Sequence, residues 1–438
     1  MTVNQKRVDR QVIVITGASS GIGLATAHMA AERGARLVLV ARNGEALTEV
    51  ARECGRRGGG AVAVEADVSR REDVERVAQT AIETFGGFDT WVNDAAVAVY
   101  GNMLEIPVED QRHLFEVNYW GLVYGSLTAA RHLRARGGTI INVGSVLSDR
   151  AMIYQTQYSA SKHAIKAFTD GLRMELEADG APIWVTLIKP SSIDTPFPEH
   201  ARNYLGGEGL TVPPPAYDPH VVAKAILFAA ENPKRTLTVG FGGAMIGLMG
   251  AHFPRATDYM MEKTGFSSQT TDQPPRPGYA DAFYEASEDG DTHSSRPHAT
   301  RQSSLYLEAQ MHPLTTFALL AGLGVGAALL LGRSSSKAAR RRDAAPESDG
   351  RGYAGRGFLD EDTQEFYPDS DDAFRDPRAP GRRTGHEAHE ARQAPLAAAD
   401  DMFRTPRAAP PGGYHEGAGD PRVTRPDAPE EAFRDPRH

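Results

Sequence analysis

The sequence predicts a doubly wound α/β fold, a parallel sheet of about seven strands with helices on both faces. Three observations carry that expectation. Short β-branched runs alternate with amphipathic stretches from Gln11 to about Phe253, the runs are apolar on both faces, and the first leads into a glycine-rich turn. In order, the runs are Val12–Thr16, Arg36–Ala41, Ala61–Ala66, Thr90–Asp94, Thr139–Ser145, Ile183–Pro190 and Thr236–Val239. Between them Gly44–Arg57, Arg71–Phe85, Val108–Arg136 and Tyr158–Asp179 read as amphipathic crossover helices, which keep successive strands parallel.

The first strand ends in Thr16-Gly-Ala-Ser-Ser-Gly-Ile-Gly23 and a helix-like run follows. Gly17 permits a tight turn, Gly21 lets backbone approach a pyrophosphate, and Gly23 lets the helix pack against the strand. Ser19, Ser20 and Ile22 complete that loop as cofactor-binding candidates, because a helix N-terminus offers N–H donors and partial positive charge to phosphates. The second strand ends Val40-Ala41-Arg42-Asn43. An acidic residue there would hold the adenosine ribose hydroxyls of NAD(H). Ala41 leaves that place empty and Arg42 offers a cation to a 2′-phosphate, so NADP(H) is the preferred cofactor and NAD(H) the second choice. Asp67 and Val68, after the third strand, are placed to meet the adenine edge.

Tyr158-Ser-Ala-Ser-Lys162 is the most specific feature of the chain. On a helix, positions i and i+4 share a face, so the Lys ammonium lies beside the phenol and favours its ionised form, which suits a general acid/base. Ser145, at the end of the fifth strand, can donate a hydrogen bond to a carbonyl oxygen. Together, Thr16–Gly23, Asp67, Asn118, Ser145, Tyr158 and Lys162 resemble the classical short-chain dehydrogenase/reductase family over roughly Arg10 to Phe253. The resemblance implies a Rossmann-type sheet with a nicotinamide cofactor across the switch point, and assembly through the helices at 108–136 and 158–179. It makes Tyr158 the proton donor or acceptor, Lys162 the holder of the nicotinamide ribose, Ser145 the polarising hydroxyl, and Asn118 the holder of a water linked to Lys162. Read without the family, Asn118 is a helix-interior residue bonding backbone. The resemblance also places Pro190, Ile193 and Thr195 beside the nicotinamide, and makes Asn93 and Ala95, in the segment at the end of strand four, cofactor-binding residues. Two departures stand out. The usual Asn-Asn-Ala-Gly reads Asn93-Asp94-Ala95-Ala96, and the usual Pro-Gly reads Pro190-Ser191.

The segment Ser192–Tyr217, with Phe197, Tyr204, Tyr217 and three prolines at 213–215, occupies the place of the family's substrate loop and favours a lipophilic alcohol or ketone. The charge-free run Phe241–Phe253 is too short to span a bilayer and reads as a terminal helix.

The remainder has a different composition. Residues 1–10 read as an N-terminal arm, 11–263 as the catalytic domain and 264–313 as a polar linker. Leu314–Leu331 is an uncharged apolar run, read as a membrane helix with a Gly322-x3-Gly326 spacing. From 332 to 438 the chain reads as a disordered tail: Arg333–His438 holds twelve Pro and only three of Ile, Leu and Val. Its repeats Asp372–Arg378, Asp401–Arg407 and Glu431–Arg437 suggest a docking motif for a protein partner. Basic residues clustered after the apolar run favour a cytoplasmic tail, whereas NADP(H) favours a cytoplasmic enzyme; a shallow or hairpin insertion reconciles the two.

The 438 residues carry a formal charge of -9, and the tail has 18 basic against 21 acidic residues, which argues against nucleic acid as partner. A single cysteine, Cys54, excludes an internal disulfide framework and a cysteine-based zinc site, and no metal is expected. The polar, charged first dozen residues predict no secretory signal. The expected function is NADP(H)-dependent hydride transfer to or from a lipophilic carbonyl or alcohol, in a homo-oligomer associated with a membrane. The alternative is a catalytically weak NADP(H)-binding sensor or scaffold that recruits partners through the tail repeats.

Overall fold

The computed structural model describes residues 5–318, apart from 207–208, 274–280, 288 and 297–298. Its centre is the expected seven-stranded sheet, built from β1 (Val12–Thr16), β2 (Arg36–Ala41), β3 (Gly60–Glu65), β4 (Thr90–Asn93), β5 (Gly138–Val143), β6 (Ile183–Pro190) and β7 (Thr236–Val239). The order is β7-β6-β5-β4-β1-β2-β3, with every pairing parallel. The strand order reverses between β1 and β4, so a crevice opens at their carboxyl ends.

Alternation along the strands divides the core in two. Ile13, Ile15, Leu37 and Leu39 face α1 (Gly21–Glu32), α2 (Gly44–Arg56) and α7 (Pro219–Glu231). Val12, Val14, Val38 and Trp91 face α3 (Arg71–Phe85), α5 (Gly121–Leu133) and α6 (Thr156–Ala178). The stretch expected as one helix over 108–136 is α4 (Val108–Phe115), a π-helical turn at Glu116–Trp120, and α5. The wider turn sits where Asn118 bonds sideways to the backbone of Val97. The Phe241–Phe253 run forms α8 (Phe241–His252), as expected.

The described residues of the expected polar linker 264–313 are packed on the domain, so the boundary drawn at 263 is corrected. Helix α9 (Pro254–Gln269) runs through that boundary, and Thr270–Thr271 then pairs with Gly209–Leu210. Thr300–Arg301 pairs with Ala216–Tyr217, and α10 (Leu305–Met311) buries Leu307 and Met311 in the same core face as α7. Gln310, bonded to both backbone groups of Thr238, and Glu308, paired with Lys224, hold the same helix. Of the apolar run, residues 314–318 continue in helix, with Leu314 and Phe317 exposed. Among the described residues no helix is long and apolar enough to cross a membrane. The rest of that run, 319–331, and the repeats of the tail at 332–438 lie outside the described residues.

Candidate active site

The site is built on the glycine-rich turn after β1. The Thr16 hydroxyl accepts the N–H groups of Asp94 and Ala95, tying this turn to the end of β4. Gly17 has φ +74°, and a Cβ on it would come within 2.9 Å of the Ala95 backbone. A Cβ on Gly23 would lie 2.0 Å from the Gly17 carbonyl oxygen, so only glycine lets α1 start this close to the strand. The Gly21 N–H donates to the Asp291 carbonyl and the Gly23 N–H to the Asp94 carboxylate. The Ile22 N–H, between them, has no protein acceptor among the described residues and belongs to a residue lining the cleft. A donor left open at a helix N-terminus is a fitting place for a pyrophosphate oxygen.

At the end of β2, Arg42 is half-buried and heavily used. Nη1 donates to the carbonyls of Phe283 (3.3 Å) and Tyr284 (2.9 Å), and Nη2 to that of Ala282. Three of its five N–H groups are thus directed at carbonyls, and the Asp67 and Asp289 carboxylates act on the same cation. Asp67 and Val68 also line the cleft, and the Asp67 carboxylate is turned to its own loop, accepting from Ser69 N–H and hydroxyl.

At the other end, Ser145 caps a short 3-10 turn, accepting from Leu147 N–H at 3.0 Å while Ser148 accepts from its own N–H. These bonds fix its hydroxyl toward Tyr158, to which it is hydrogen-bonded. Burial pushes the Tyr158 phenol well above its ordinary pKa, the nearby Tyr100 adds to that, and the Ser145 bond works in the opposite direction. Lys162 is 3% exposed, donates to the Val143 carbonyl at 3.0 Å and lies 5.5 Å from the centre of the Tyr158 ring. Burial lowers it to about 8, against the pull of the Asp94 carboxylate. Burial in turn raises Asp94 to about 7, against Lys162 and the Gly23 N–H. Asn118 is buried, with its amide spent on Val97 N–H, Val97 carbonyl and the Ser161 hydroxyl. Its side chain therefore sets the π-helical turn below the cleft.

The short chain dehydrogenase family matches residues 11–204. An oxidoreductase of uncharacterized function from Bacillus subtilis, YxnA, is 46% identical over 325 residues, which is 74% of this chain and 91% of that one. The chain belongs to the short-chain dehydrogenase/reductase family. It is an enzyme, an oxidoreductase acting on CH–OH donors. The 11-beta-hydroxysteroid dehydrogenase A of Sesamum indicum is 37% identical over 209 residues, 47% of this chain and 59% of that one. A solved structure of a short chain dehydrogenase from Burkholderia cenocepacia in complex with NADP is 28% identical, with a TM-score of 0.50, covering 58% of this chain and 99% of that one.

Most site residues expected of this short-chain dehydrogenase line one cavity of about 360 Å³ that runs from Arg42 to Tyr158. Gly17, Ser19, Ser20, Gly21 and Ala95 line its phosphate end, and Pro190, Ile193 and Thr195 the wall beside Tyr158. Gly23, Asn93 and Asn118 do not line it. Gly23 lies beneath the turn, and Asn93 is buried, bonded to Trp91, Ser126 and Asn142, so it locks β4 to its neighbours instead of facing a cofactor. In the substrate loop Phe197 and Tyr217 both line the cavity, Phe197 5.7 Å from the Tyr158 ring centre and Tyr217 packed into the core behind it. Tyr204 turns away to Asp110. The sequence carries no mark of the cleft wall supplied by Ala282, Ala286, Ser287 and Asp289, which belong to the supposed linker.

Proposed function

We propose that this enzyme transfers hydride between a nicotinamide cofactor, NADP(H) ahead of NAD(H), and a lipophilic alcohol or ketone, with Tyr158 as general acid/base. The observation that carries the reading is the convergence of Ser145, Tyr158 and Lys162 at one end of a cleft whose other end offers an open helix N-terminal donor and an Arg fork. The bound nicotinamide would supply or accept the hydride. Ile22 N–H would hold the pyrophosphate, and Arg42 the 2′-phosphate that distinguishes NADP(H). The Burkholderia structure, which is in complex with NADP, supports that choice.

Burial keeps the Tyr158 phenol protonated, so in the reductive direction it stands ready to give its proton to the substrate oxygen. Ser145 donates to the same oxygen and orients the carbonyl. Lys162, held by Val143, places positive charge beside the phenol ring and stabilises phenolate as the proton leaves. Asn118 acts through the shape of the turn it fixes, with a water link from Lys162 to solvent passing that turn. The substrate end is walled by Tyr100, Leu147, Met152, Phe197, Ile246 and Met261, an apolar lining that favours a lipophilic substrate. The sesame relative, by its name a hydroxysteroid dehydrogenase, points the same way.

Exposed Trp120, Leu127 and Met174 on α5, its preceding turn and α6 support a homo-oligomer formed through those helices. We further place the catalytic domain in the cytoplasm, attached to a membrane through 314–331, with the tail repeats as docking sites. The test is NADPH consumption followed at the nicotinamide absorbance across a panel of ketones and alcohols of graded hydrophobicity. Turnover that rises with hydrophobicity and disappears in Tyr158→Phe is expected. Tight NADPH binding with no turnover on that panel would sink the lipophilic-substrate reading.

A further inference from the structure

Residues 281–287 and 289–296 contact the residues at the carboxyl ends of β1 and β2 and line the cofactor end of the cleft. Asp281 pairs with Arg202 at 3.1 Å, and the Ala282 N–H donates to the His200 carbonyl. Phe283 is 0% exposed, seated among Val97, Val99, Leu114 and Val117. The Tyr284 hydroxyl donates to Asp110 at 2.6 Å, and its ring stacks on His113 at 4.3 Å. Further along, Asn43 donates to the Ser287 carbonyl at 3.1 Å and the Gly290 N–H to the Ser19 carbonyl at 2.9 Å. The far side is held by His293 against Asp218 (3.0 Å) and by the Ser294 hydroxyl against Asp194 (2.5 Å).

Three features show what this segment is for. It lines the cleft without filling it, since the cavity continues beneath Ala282, Ala286, Ser287 and Asp289. The Ser287 hydroxyl is buried and has no hydrogen-bond partner among the described residues, an arrangement that costs stability unless a ligand completes it. The carbonyls of 282–284 fix the Arg42 guanidinium, which lines the same cleft, to this segment.

We propose that residues 281–287 and 289–296 form a cofactor clamp, in which Ser287 is a direct ligand of the dinucleotide and the docked Phe283 sets how slowly the dinucleotide leaves. The proposal rests on the nicotinamide reading above. A dinucleotide bound under the segment has its adenosine end enclosed between the glycine-rich turn and Ser287. Release then requires Phe283 to leave its apolar seat and the bonds at Ser19, Gly21 and Asp194 to break together.

The experiment uses the full chain and NADPH fluorescence in a stopped-flow displacement by excess NADP+. Ser287→Ala should weaken NADPH about fivefold, the loss of one hydrogen bond. Phe283→Ala should speed release at least tenfold. Hydrogen exchange on the wild-type chain should show the amides of 285–291 slowed by NADPH, and this reading stands in if Phe283→Ala does not fold. Release within twofold of wild type in both variants overturns the clamp. So does tighter binding in Phe283→Ala, which would make the segment a plug competing with cofactor, and so does exchange at 285–291 unmoved by NADPH. Failure of the wild-type chain to bind either NADPH or NADH would instead sink the cofactor reading itself, and the clamp with it.

Discussion

At the catalytic end of the cleft, Ser145, Tyr158 and Lys162 come from the loop after β5 and one face of α6, eighteen residues of continuous sequence. At the adenosine end, Arg42 finds its acceptors 240 to 242 positions further along the chain. The first is assembled by local geometry and the second by a long-range closure. The difference separates two tasks. Proton transfer needs groups held rigidly by the sheet, whereas a cofactor that must enter and leave is served by a wall that the sheet does not contain.

Substitutions that strike one end alone sharpen the contrast. The largest effect belongs to Tyr158→Phe, which should lower kcat/KM by roughly 10²–10⁴-fold while leaving NADPH affinity within about twofold, as read by steady-state kinetics beside fluorescence titration. Loss of binding in that variant would mean the two ends are not separable. Next is Leu307→Ala, fully buried beneath α7; it should cost about 2–5 kcal/mol in denaturant unfolding, monitored by circular dichroism. A negligible cost would show α10 to be an appendage of the domain. Arg42→Ala should reduce the preference for NADPH over NADH by about 10- to 100-fold, with Tyr158-dependent chemistry on bound cofactor unchanged.

The smallest effect is in pH dependence. Asp94 raises the Lys162 pKa, so Asp94→Asn removes that pull and lowers it further below about 8. Lys162 then loses its proton at a lower pH, and the basic limb of the kcat profile for reduction should move to lower pH. A profile unmoved, or moved upward, would show that Asp94 does not act on Lys162 electrostatically.

The same contrast explains what could be read in advance. All seven strands announce themselves through β-branched runs apolar on both faces, and Ile183–Pro190 and Thr236–Val239 are found with the expected bounds. Gly17 and Gly23 are legible because backbone contacts at under 3 Å demand glycine. Ser145, Tyr158 and Lys162 are legible because an i, i+4 pair and a strand end fix their neighbours. Asn118 is seen, but its side-chain bonds to Val97 and the π-helical turn around it leave no periodic trace. The clamp was illegible for a physical reason. Phe283 and Tyr284 are isolated aromatics in a polar stretch, their partners Arg202, Asp110 and His113 lie far away in sequence, and two-residue strands carry no alternation to detect. A segment held by long-range contacts looks like linker until its partners are placed beside it.

One consequence concerns leverage. Met311 is sealed in the core at 3% exposure, while Leu314, only three residues later, stands 85% exposed at the start of the apolar run. Three residues span at most about 10 Å of chain. On the membrane attachment proposed above, the start of that run would be tied to the sheet with almost no slack, so the attachment would set the direction in which the mouth of the cleft points, where a longer leash would let the enzyme tumble.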